Sequence, residues 1–107
     1  MKIDPKELEM VLGKLLKVYD PVQVYLYGSQ AWGEPESDSD IDTFIVLEAS
    51  ELELDERILM GARAISGSGL DVDLLVMTRA EVAARKDHPS TLTHKILAKG
   101  IKLYEAA

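Results

Sequence analysis

The stretch YGSQAWGEPESDSDID, residues 27–42, joins two chemically complementary signals. Gly28-Ser29 closes an apolar run, and about a dozen residues later Asp40 and Asp42 flank Ile41. A glycine–serine turn that opens a short helix offers backbone N–H groups and a hydroxyl to a phosphate. Carboxylates at i and i+2 of a strand point to one face, where they can share a hard cation. Gly28 and Ser29 are therefore candidate nucleotide-binding residues, and Asp40 and Asp42 candidate metal ligands. A third acidic segment, Leu70-Asp71-Val72-Asp73-Leu74-Leu75-Val76, follows. Asp73 joins the first pair if the second and third strands are neighbours; Asp71, closer to the glycines, reads as surface charge. A phosphate cradle with metal carboxylates is the minimum kit for moving a nucleotidyl group.

Each half has a plainer reading. Gly-Ser turns commonly serve only as helix N-caps, and aspartates at the start of a strand can simply be solvated. Aspartate is nevertheless depleted in strands, so an alternating pair leading into an apolar run asks for a reason. Other metal and phosphate motifs fail on spacing. A calcium loop begun at Asp38 needs glycine and glutamate where Thr43 and Ala49 stand, and no Gly-Lys-Ser/Thr follows the glycine turn. His88 and His94 straddle Pro89 and have no ligand spacing on a helix, so they read as surface or structural residues.

Elements that could position these groups are legible. Asp4, Pro5 and Glu7 form an N-terminal helix signal, followed by Leu8, Val11, Leu12, Leu15, Leu16 and Tyr19 at helical spacing, and Asp20-Pro21 ends the run. Val22–Tyr27 reads as a strand and runs into a short helical turn through Ala31 and Trp32 that stops at Gly33. After a polar loop come a strand from Asp40 to Leu47, a helix carrying Leu54, Ile58, Ala62 and Ile65, and a strand from Leu70 to Met77. Thr78 and Glu81 announce a capping box for a helix to about Lys86. Ser90 is the expected cap of a last helix ending at Gly100, before a short strand over 101–104. The order predicts a mixed α/β (α+β) fold with a small sheet backed by helices.

The 107 residues, 47% of them apolar, are expected to form a single domain over 1–107. The formal charge of −7 argues against broad, sequence-independent binding of nucleic acid. Part of it lies in Glu34, Glu36, Asp38, Asp40 and Asp42, whose mutual repulsion cations or water must relieve. The absence of cysteine excludes thiolate metal sites, no signal peptide is apparent, and no apolar run approaches the ~20 residues of a membrane span. A cytoplasmic location is expected.

Together, Gly28, Ser29, Ser39-Asp40-Ile41-Asp42 and Asp73 resemble the pattern of the nucleotidyltransferase superfamily typified by DNA polymerase β and kanamycin nucleotidyltransferase. The resemblance is closest to its small stand-alone members, the minimal nucleotidyltransferases, and covers nearly the whole chain. It implies a polymerase β-like fold in which Asp40, Asp42 and Asp73 are catalytic and ligate Mg²⁺, two ions in all. Gly28 and Ser29 would hold the β- and γ-phosphates of ATP or another nucleoside triphosphate, and Asp73 would help deprotonate the attacking hydroxyl. Two departures stand out. Many relatives carry arginine where Trp32 stands, so the ring either packs on the fold or stacks with a base. Thr43 replaces a usual leucine.

Larger relatives add a domain that grips the acceptor, for which this chain is too short; a partner subunit, a homodimer or an acceptor that brings its own binding surface is expected to compensate. Minimal relatives are often paired with a helical HEPN-type toxin and act as its antitoxin, and studied members transfer AMP to a toxin tyrosine. The resemblance therefore implies a protein adenylyltransferase with a HEPN-type partner. A non-catalytic module that neutralises its partner by contact, and an enzyme acting on an aminoglycoside-like small molecule, are the alternatives.

Overall fold

The computed structural model describes residues 3–33 and 40–107; Glu34, Glu36, Asp38 and Ser39 lie outside the described residues. Helix α1 (Pro5–Tyr19) starts where Asp4 accepts a hydrogen bond from Lys6 N–H at 2.8 Å, with proline at its first position. It ends at Asp20, which takes a left-handed backbone with φ 48° and donates its own N–H to Leu16. The remaining elements follow as β1 (Gln23–Tyr27), α2 (Ser29–Trp32), β2 (Ile41–Leu47), α3 (Leu54–Ile65), β3 (Val72–Thr78), α4 (Arg79–Arg85), α5 (Leu92–Lys99) and β4 (Ile101–Glu105). Order and type match the sequence expectation, and the corrections are local. Asp40 and Leu70-Asp71 lie outside β2 and β3, because ladder pairing begins at the β-branched residues Ile41 and Val72. The last helix is capped by the side chain of Thr91, which accepts from His94 N–H, rather than by Ser90.

The strands form one sheet in the order β3-β2-β1-β4. β1 runs antiparallel to both β2 and β4, while β2 and β3 are parallel, joined by the crossover through α3. Alternate residues of the sheet feed two apolar layers. One holds Val11, Leu15, Tyr19, Val24, Ile45, Ile65 and Val76, and so packs α1 and α3 on one face. The other joins Tyr25, Phe44, Val46 and Met77 to Ile96 of α5. The buried Tyr19 hydroxyl donates to Arg57 C=O and accepts from Gly61 N–H, tying α1 to α3. A Cβ at Gly61 would run into that hydroxyl and into Leu74, so glycine is needed for the close approach.

Two hydrogen-bonded devices hold β3 in place. Thr78 and Glu81 form the expected capping box at the start of α4. Glu81 also accepts from Arg57 at 2.6 Å, and the same guanidinium donates to Val76 C=O and Leu52 C=O. Arg57 is only 7% exposed, so this charge is buried with its partners supplied. The second device is Thr43. Its side chain is 1% exposed and its hydroxyl donates to Asp73 C=O at 3.0 Å, fixing β2 against β3 at one level.

Candidate active site

That level brings the candidate site residues together. In the parallel pairing of β2 and β3, Asp42 stands directly opposite Asp73; in the antiparallel pairing of β1 and β2, Tyr27 stands opposite Asp42. The three side chains share the face that, one alternation along, carries Tyr25, Phe44 and Leu75. The register thus sets two carboxylates side by side from strand segments about 30 residues apart in sequence.

Gly28 meets the same carboxylate. It takes φ +74°, and a Cβ there would collide with Oδ2 of Asp42. Glycine thus serves two needs at this position: a left-handed turn and room for an acid against the backbone. The Gly28 C=O accepts from Ala31 N–H and Trp32 N–H, both at 3.0 Å, closing the single turn of α2 whose first residue is Ser29. Gly28, Ser29 and the Asp42 carboxylate are therefore parts of one local structure.

Partial burial, then hydrogen bonding to Asp73, then the charges of Asp73 and Asp40 push the Asp42 carboxyl up to about 6 from an ordinary 3.8. A carboxyl held in this way asks for a proton or a cation. Tyr27 is pushed up as well, first by burial and then by the charges of Asp42 and Asp73. Asp40 acts on Asp42 through its charge from just outside the strand, and it is exposed. Among the described residues, no three His, Cys, Asp or Glu side chains converge into a group able to cage a metal. Asp42 and Asp73 are brought together, while Asp40 stands at their edge. This donor set suits Mg²⁺, which keeps its waters and is commonly held by one or two carboxylates together with substrate phosphates. It does not suit an ion that needs a full protein cage.

Trp32 packs on the fold. Its ring lies 6.2 Å from that of Tyr27 and joins the partly buried residues around the Tyr25–Phe44 core, and the Lys95 ammonium sits 4.6 Å from its centroid. Sequence reasoning missed both Tyr27 and Lys95. Tyr27 was detectable as the residue that must share a face with an acid once β1 and β2 pair. Lys95 was not, since nothing in the spacing of α5 says that it meets α2. His94 donates its Nδ1–H to Lys86 C=O, and His88 is part of the turn between α4 and α5, so both are structural.

Residues 6–99 match the family model of the nucleotidyltransferase domain. No curated protein sequence matches the chain. Among solved structures, it is similar to a protein from Sulfolobus solfataricus described as a nucleotidyltransferase, with a TM-score of 0.65 at 22% identity over 94% of this chain and 78% of that one. It is also similar to a chain of a toxin–antitoxin complex solved with AMP-PNP, with a TM-score of 0.63 at 25% identity over 92% and 73% of the two chains. A third neighbour, from the toxin–antitoxin complex MntA-HepT, gives a TM-score of 0.63 at 18% identity over 96% and 74%. With the family model spanning nearly the whole chain, and with the fold shared by these structures, the chain belongs to the nucleotidyltransferase-domain family.

Proposed function

We propose that this chain is a Mg²⁺-dependent adenylyltransferase that moves AMP from ATP to a tyrosine hydroxyl of a helical, HEPN-type toxin, acting as that toxin's antitoxin. The observation that carries the reading is the in-register Asp42–Asp73 pair lying against Gly28. The adenine nucleotide and the toxin partner are supported by a neighbour 25% identical to this chain, solved as a toxin–antitoxin complex with the ATP analogue AMP-PNP.

In this mechanism Gly28 and Ser29 hold the β- and γ-phosphates, which leaves the α-phosphorus facing the carboxylate pair. Asp42 and Asp73, with Asp40 at the edge, would hold two Mg²⁺ ions, whose charge when bound stabilises the attacking and leaving oxygens of an in-line displacement. Asp73 takes the proton of the acceptor hydroxyl as its oxygen bonds to the α-phosphorus. The bond from that phosphorus to the bridging oxygen breaks and pyrophosphate leaves. Tyr27 and the apolar layer beneath it limit water beside Asp42, which strengthens electrostatic control at the reacting phosphate.

The test is transfer itself. The chain is purified with the product of any adjacent gene and given labelled ATP with Mg²⁺. Label should appear on the partner and be lost with Asp42→Asn and with Asp73→Asn. Label that persists in both variants refutes the metal assignment. Tight complex formation without label identifies a module that neutralises by contact.

A further inference from the structure

Lys95 projects from α5, a separate element from those that build the acid pair, yet its ammonium stands at the end of a continuous strip of site side chains. Asp42 faces Tyr27 across the β1–β2 ladder, the Tyr27 ring meets that of Trp32, and Trp32 carries the ammonium over its face. Trp32 also closes the α2 turn onto Gly28, the residue against which Asp42 lies. The cation is therefore tied, through one ring, to the turn that begins at Gly28-Ser29.

Among the described residues its charge has no carboxylate beside it. Arg57, Arg79 and Lys102 each have a carboxylate within 2.6 Å, whereas among the described residues Lys95 has no carboxylate partner and meets only the ring. An exposed lysine in a chain of charge −7 has acids to choose from, so its place over an aromatic face is informative. A cation–π contact positions an ammonium without neutralising it, and a phosphate oxygen makes a stronger, charge-assisted bond that can draw it away. A triphosphate bound beside Asp40, Asp42 and Asp73 adds negative charge to negative charge, and Lys95 is the cation already held against α2 to offset it.

We propose that Lys95, held in readiness by the Trp32 ring, is a nucleotide-binding residue that pairs with the β- and γ-phosphates and so sets the site's preference for triphosphates. This inference rests on the nucleotide reading given above. Flexible lysine suits the task, since its ammonium is a point charge on a long stem that can move from ring to phosphate.

Binding of MgATP and of AMP to the purified chain is measured by calorimetry and by the emission of Trp32, the sole tryptophan. Lys95→Met keeps the apolar stem over the ring and removes the charge. It should weaken MgATP by about tenfold while shifting AMP by less than about twofold, because only the triphosphate reaches the ammonium. Lys95→Arg should restore most of the loss. Equal affinities for MgATP in the unaltered chain and Lys95→Met overturn the role of Lys95 and leave the nucleotide reading standing. Equal weakening of MgATP and AMP marks a merely structural contact and overturns it too. No binding of MgATP by the unaltered chain overturns the nucleotide reading itself, and this inference with it.

Discussion

Replacing Asp42 by asparagine should make the metal-free protein more stable. Burial, the bond to Asp73 and its neighbours' charges raise the Asp42 carboxyl from 3.8 to about 6, so ionising it inside the fold is unfavourable. A rise of that size corresponds to about 3 kcal/mol between the two protonation states. Asp42 is only partly buried, and solvent screening reduces the usable part to about 1–2 kcal/mol. The folded state holds this proton more tightly than the unfolded chain. The group's contribution is therefore complete below the unfolded value and is lost as pH rises through about 6. In chelator at pH 7.5, Asp42→Asn should then melt about 5–10 °C above the unaltered protein. The two should converge near pH 3, below the unfolded value, where Asp42 is largely protonated in both states. Adding Mg²⁺ should raise the melting temperature of the unaltered protein and leave the variant unmoved. Thermal unfolding by circular dichroism, at pH 3 and 7.5 with chelator or Mg²⁺, decides the matter. A variant no more stable than the unaltered protein at pH 7.5 in chelator refutes the reasoning.

Other perturbations have separate readouts. Gly28→Ala places a methyl group on Asp42 Oδ2 at φ +74° and should cost about 2 kcal/mol in chemical denaturation, with loss of MgATP binding in calorimetry. Thr43→Val keeps the shape and removes the donor to Asp73 C=O; a loss of about 1–2 kcal/mol in urea unfolding is expected, with transfer reduced because Asp73 is no longer pinned. Arg57→Met strips Glu81 of its main partner and removes the bonds to Val76 C=O and Leu52 C=O, for a loss of about 3 kcal/mol in urea unfolding. Because Arg57 holds the Glu81 carboxyl below its usual range, that pair's contribution is present at neutral pH and fades on acidification, and unfolding followed from pH 7 to 3 should show the fading only when Arg57 is present.

Much of this was written in local sequence. The capping box at Thr78 and Glu81, the proline at the start of α1 and the apolar run Phe44–Leu47 are short-range patterns whose physics does not depend on distant residues. Element order and type followed from them. The juxtaposition of Asp42 with Asp73 was legible only on the condition that β2 and β3 be neighbours, because register belongs to the sheet rather than to either strand. The polar ties were hidden for the same reason. Thr43 stood in the sequence only as a replacement for a usual leucine, and its bond to Asp73 C=O, like that of Arg57 to Glu81, joins residues more than 20 apart. Trp32 admitted two readings from sequence, and the ring's neighbours Tyr27 and Lys95 come from β1 and α5.

The crossover between β2 and β3 also has a kinetic side. Gly28 and Asp42 meet within one antiparallel strand pair close in sequence, whereas Asp73 arrives only when the chain through α3 has closed a much longer loop. Contacts of large sequence separation form late, since the entropy of closure precedes their reward. A chain in which only β1 and β2 have paired therefore holds Asp42 without Asp73, and the two carboxylates meet only once the crossover has closed. On the proposed function, a chain that has not yet closed this crossover lacks part of the acid pair the chemistry needs.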